Sequence, residues 1–168
     1  MDTGDVIPIE MRWRFVTRTL TGLPFLYERA LRDAAGEEYG AKMGDIFREL
    51  ARDMTPVATA FRLPTGNAPD LAMTVDLLCS VLFGPGFKGE PLEATDQGAV
   101  FRRVDCPFVA IARERGFNPA HAYFVCTAFK TALVEGLNEE YRSSVPRACC
   151  FGDTVCEMVI ERKEESPR

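Results

Sequence analysis

One change of rhythm constrains this chain more than any other feature. From Ile9 to Phe83 the apolar residues recur at three- and four-residue steps, whereas from Leu92 onward stretches of two-residue alternation take over, with helical runs between them. A three-to-four-residue step puts side chains on one face of a helix, and a two-residue step puts them on one face of a strand. The chain should therefore build helices first and an antiparallel sheet later, which is an α+β arrangement and not a wound parallel sheet. A length of 168 residues suits one domain. We read 1–162 as that domain, with a helical part over about 9–83, a sheet-containing part over about 88–162, and a disordered tail at 163–168 rich in charge.

The breakers set the expected boundaries. A first helix runs from Ile9 to about Ala35, kinked or broken at Gly22-Leu23-Pro24 and closed by Gly36. A second spans about Glu38 to Phe61, with Pro56 marking a kink or boundary. Leu63–Asp70 is a loop. The apolar run Leu71–Phe83 suits a helix or a buried strand, and its length and a capping Asp70 favour the helix. After a loop at Gly84–Pro91, Leu92–Val104 reads as two strands about the turn Asp96-Gln97-Gly98. Pro107 opens a helix that Gly116 stops, and Asn118-Pro119 opens another that runs to about Leu137. Ser143–Arg162 then alternates about Gly152-Asp153 as a hairpin, which would set Cys149 opposite Cys156 and put Val145, Arg147, Cys149, Cys156, Met158 and Ile160 on one face.

Charge narrows the function. A net charge of −5 with no Lys/Arg run argues against nucleic acid or an anionic membrane surface as the main partner. No run approaches the roughly 18 apolar residues of a membrane span. The first residues lack the apolar core of a signal peptide. The expectation is a cytoplasmic protein whose partners are small-molecule ligands or substrates, and an exposed part of the long helical stripes would suit a homodimer. There is no phosphate-binding glycine loop, no Gly-x-Ser-x-Gly elbow and no paired histidine motif.

The six cysteines carry what chemistry there is. In a reducing compartment structural disulfides are disfavoured, which leaves burial, metal binding or nucleophilic catalysis. Core packing is the commonest fate of a free cysteine, and Cys79 inside its apolar run is filler. Cys106, Cys126, Cys149 and Cys156 stand where elements meet, and four thiolates converging from separate elements would suit a divalent metal such as zinc. Their spacing is not that of a Cys-x-x-Cys knuckle. Cys106 is also the best-placed nucleophile, because it precedes a Pro-led helix whose dipole favours a thiolate. His121 is the only histidine and the candidate base, with an exposed first-turn histidine as the plainer reading. Asp153 serves the turn first and is a candidate ligand or base second. Arg102, Arg103 and Arg147 could hold a substrate carboxylate, though surface arginine explains each. Trp13, between Arg12 and Arg14, should anchor the first helix.

The order Cys106-Pro107, Cys126 and Gly152-Asp153-x-x-Cys156, spread over Val100–Glu161, resembles the family named for L-2-amino-thiazoline-4-carboxylic acid hydrolase and, more distantly, vinyl-reductase-type small-molecule-binding domains. The resemblance implies N-terminal helices packed on a twisted antiparallel sheet with a ligand cavity between them. It also implies hydrolysis of a small cyclic amidine or sulfur heterocycle, through either a metal-bound hydroxide or covalent attack by Cys106, with Cys126, Asp153 and Cys156 at matching positions. Ala148 stands where the vinyl-reductase type often has a cysteine, and many relatives of both kinds are binding domains or of undefined activity. A non-catalytic binding or sensory domain with a hydrophobic cavity is therefore the alternative.

Overall fold

The computed structural model describes residues 6–164. It is an α+β fold of five α-helices and a four-stranded antiparallel sheet among those residues. Three helices come first: α1 (Ile9–Ala35), α2 (Tyr39–Ala60) and α3 (Ala68–Phe83), with a 3-10 turn at Gly36–Glu38 joining the first two. The strands β1 (Glu90–Thr95) and β2 (Gly98–Arg103) follow, then α4 (Pro107–Arg115), α5 (Ala122–Leu137) and the strands β3 (Tyr141–Arg147) and β4 (Cys156–Arg162).

α1 passes straight through Pro24, where a break was an alternative. The missing N–H forfeits one backbone bond. Burial of Pro24 and Phe25 offsets that loss, and the Tyr39 hydroxyl donates to the Pro24 carbonyl at 2.8 Å. α2 likewise contains Pro56 and continues to Ala60, held along α5. α3 is a helix, as its length implied, but it starts before Asp70. Its cap is Asn67, whose side chain accepts the Asp70 N–H at 2.9 Å, and Pro69 fits the first turn because no N–H is needed there.

The sheet order is β1-β2-β4-β3, so the last strand in sequence is a central one. β1 and β2 pair about the expected turn, with Thr95 opposite Gly98. Helices α3 and α5 cover one face of the sheet, onto which Ala99, Met158, Ile160 and Tyr141 turn their side chains. Phe83 is the hub of the core. Its ring centroid lies 5.4 Å from Phe87, 5.1 Å from Phe108 and 5.2 Å from Phe129, in tilted and edge-on arrangements that add roughly 0.5–1.5 kcal/mol per pair beyond burial.

The closing hairpin differs from the sequence reading. β3 and β4 do pair, but Ser143 faces Ile160 and a bulge between Ser144 and Arg147 brings Arg147 opposite Glu157. Arg147 therefore leaves the Met158–Ile160 face and makes an ion pair with Glu157 at 3.2 Å. Cys149 is not in a strand: it begins a 3-10 turn at Cys149–Phe151, and the connection runs to Val155. Gly152, at φ 98, supplies the left-handed turn, and the Asp153 carboxylate accepts the Ala148 N–H at 2.8 Å. At the far end, Lys163 is fixed by a 2.7 Å bond from its N–H to the Glu140 carbonyl and an ion pair to Glu135. Of the tail expected to be disordered, 165–168 lie outside the described residues.

Candidate functional site

Among the described residues two cavities flank the helices, and the first contains Cys106, Cys149 and Asp153 of the residues singled out from sequence. It measures about 690 Å³ and lies between α1, the loop after α3, the start of α4 and the β3–β4 connection. Arg14, Arg18 and Arg113 supply cations to its walls, Cys106 and Cys149 contribute thiols, and Asp153 comes from the turn. Gly84 permits a close approach here: at φ 98, a Cβ on it would meet the Thr17 hydroxyl at 2.9 Å.

Cys106 caps α4 at its N-terminus without a side-chain cap bond. The Val109 N–H favours a thiolate, as the helix start implied, but burial acts more strongly and the neighbouring Cys126 adds to it. The thiol is pushed up to about 11 and is protonated at neutral pH. Burial, with Cys156 next in effect, pushes Cys149 up to about 12. Cys150, on which no sequence signal fell, is pushed up to about 12 by burial and by Cys126. Cys106 and Cys150 thus each feel Cys126 and Cys156, and Cys149 feels Cys106 and Cys156. Cys79 is core filler inside α3, as expected, and burial pushes its thiol up to about 12.

Proximity has not made a metal cage. Among the described residues no group of three or more His, Cys, Asp or Glu side chains is arranged to hold a metal ion. The reason is local. Cys149 left the strand for the 3-10 turn, and its sulfur points at the carbonyls of Arg103 and Val104, at 4.0 and 3.8 Å. Cys156 Sγ accepts the Cys149 N–H at 3.1 Å. The expected set of Cys106, Cys126, Cys149 and Cys156 is gathered in one region without the convergence that zinc requires.

His121 is not in this cavity. It belongs to the second, about 720 Å³ between α1, α2 and α5, where its Nδ1 meets the buried Glu28 carboxylate and its Nε2 lies 3.0 Å from Arg32 Nη2. Arginine can only donate, so Nε2 accepts and Nδ1 carries the proton to Glu28. That histidine ties α1 to the 3-10 turn before α5, and the expected trio of Cys106, Asp153 and His121 is divided between two cavities. Sequence spacing gave no hint of Glu28, a carboxylate on the buried face of α1.

The arginines were redistributed as well. Arg103 is buried, bonding Asp76 at 2.5 Å and lying 3.8 Å over the Phe87 ring, and Arg102 and Arg147 both reach Glu157. None lines the first cavity, whose cations come from α1 and α4. Trp13 anchors α1 as expected, its indole donating to the Val81 carbonyl at 3.0 Å.

No protein-family model matches the chain, and no curated protein matches it. Its fold is similar to that of a trafficking protein particle complex subunit 3 from Naegleria fowleri, a crystal structure with palmitic acid covalently bound. The TM-score is 0.62 at 12% sequence identity, over 92% of this chain and 99% of that one. No helix among the described residues is long and apolar enough to cross a membrane.

Proposed function

We propose that this chain is a non-catalytic assembly domain that pairs with a second copy of itself through an apolar face shared by α1 and α3. One observation carries the reading. Ile9, Trp13, Val16, Leu20, Leu23 and Tyr27 alternate four- and three-residue steps along α1, the spacing of a helix-pairing seam, yet Ile9 and Val16 are 67% and 65% exposed. Met73, Leu77 and Val81 make a matching stripe on α3, 46–54% exposed, and the Trp13–Val81 bond joins the two stripes into one surface. Soluble monomers rarely leave so continuous an apolar patch in water. The fold is that of a subunit of a protein complex in the Naegleria structure, which supports the same reading. Sedimentation velocity tests it: the wild type should be a dimer at micromolar concentration, and Leu77→Glu and Val16→Glu should each be folded monomers. A monomeric wild type would end this proposal.

The first cavity supports a second reading, a binding site for a small amphiphilic carboxylate with its charged end at Arg14 or Arg113. Apolar walls beside unburied cations favour it, as does the palmitic acid bound in the Naegleria protein. Calorimetric titration with a medium-chain fatty acid is its test. Hydrolysis of a cyclic amidine is the reading this geometry favours least, because Cys106 is protonated and the single histidine serves another cavity.

A further inference from the structure

We propose that Cys149 and Cys156 are an oxidisable pair, closing to a disulfide that fastens the β3–β4 connection and reshapes one wall of the first cavity. The connection already folds back at this point. Cys156 Sγ accepts the amide N–H of Cys149 at 3.1 Å, so the sulfur of one residue touches the backbone of the other. One residue away, Asp153 holds the Ala148 N–H, and the left-handed Gly152 makes the turn that brings the two ends together. Closing the bond requires rotation about the Cys149 side chain, which carries its sulfur toward the Cys156 sulfur already beside its backbone. That rotation gives up only long S–H contacts to the Arg103 and Val104 carbonyls, at 4.0 and 3.8 Å.

Access comes from the cavity. Cys149 lines it together with Gly152, Asp153 and Thr154, so a small oxidant that enters meets Cys149 first, with Cys156 behind it. With oxidised glutathione the chemistry balances in two exchanges. One cysteine, as thiolate, attacks a sulfur of the glutathione disulfide and expels one glutathione thiolate, leaving a mixed disulfide. The second cysteine then attacks the protein sulfur of that bond and expels the other. Two protein thiols lose two protons and two electrons, and one disulfide becomes two glutathione thiols. The new bond draws Cys149 away from the end of β2, and the Gly152–Thr154 side of the cavity moves with it.

The test is thiol counting on the full chain after equilibration with oxidised glutathione. The reduced protein holds six free cysteines, and oxidation should leave 6 − 2 = 4 with a mass loss of about 2 Da. The Cys150→Ser variant should still lose two thiols, and its digest, cut after Arg147 and before Asp153, should show the Ala148–Gly152 fragment carrying Cys149 joined to the fragment carrying Cys156. Cys149→Ser and Cys156→Ser should each lose none. Six thiols surviving in the wild type, or a bond that maps to Cys106, Cys126 or Cys150, would overturn the assignment, and the wild-type map decides even if a serine variant folds poorly.

Discussion

Replacing Asp76 by alanine should be among the most damaging single changes in this protein. Its Oδ1 accepts the Arg103 guanidinium at 2.5 Å and the Gly89 N–H at 3.0 Å. Arg103 is 6% exposed and lies 3.8 Å over the Phe87 ring, and Lys130, 2% exposed, has its ammonium 5.7 Å from the same ring. Without the carboxylate, two interior cations would share one aromatic face, and Arg103, whose Nε already lacks a partner, would lose its charge pair. Removing one partner of a buried pair costs about 3–5 kcal/mol. For a domain of this size that is a fall in Tm of roughly 10–15 °C. Replacing both partners by apolar groups is often nearly neutral, so Asp76→Ala combined with Arg103→Met should recover most of the loss. Urea denaturation followed by circular dichroism gives all four corners of the cycle. If Asp76→Ala costs less than about 1 kcal/mol, or if the double variant is no better than the single one, the buried pair does not have this role.

Two other outcomes follow from the cavity and its thiols. Arg113→Ala should weaken binding of a medium-chain fatty acid about tenfold, whereas loss of binding with a shortened chain alone would point to the apolar wall. Alkaline solution should destabilise the fold: Cys79, Cys106, Cys149 and Cys150 titrate between about 11 and 12 when folded but near 9 when unfolded. Above pH 9 the unfolded chain has shed those protons while the native state still holds them, so stability present below pH 9 is lost as pH rises through 11. Equilibrium unfolding at stepped pH should show that decline, and a flat profile from pH 8 to 11 would contradict it.

The elements were readable because each carries its own local signal. Asn118-Pro119, Gly116 and the Asp96-Gln97-Gly98 turn act within a few residues of where they stand, and the strands and helices fell where those residues placed them. The hairpin register was not readable, because it depends on a bulge between Ser144 and Arg147 that no turn residue announces. That one shift carried Cys149 off the sheet and turned its sulfur toward the Arg103 and Val104 carbonyls. His121 could not be assigned from spacing either, since its partner Glu28 lies on a different helix and only packing brings them together. The apolar seam of α1 was visible as periodicity, but periodicity alone does not say which of two stripes faces the core: Thr17, Pro24 and Glu28 line the buried one.

The position of β4 has a consequence for synthesis. Strands β1 and β2 emerge from the ribosome early and β3 late, yet none of them is joined to the other side of the sheet until β4 inserts between β2 and β3. A nascent chain that stops before Cys156 leaves β2 with an open edge and Ala99 and Phe101 without their partners Ile160 and Met158. Open edges of this kind invite pairing with other chains. The sheet can close only after translation has passed Arg162, and until then β2 keeps its open edge.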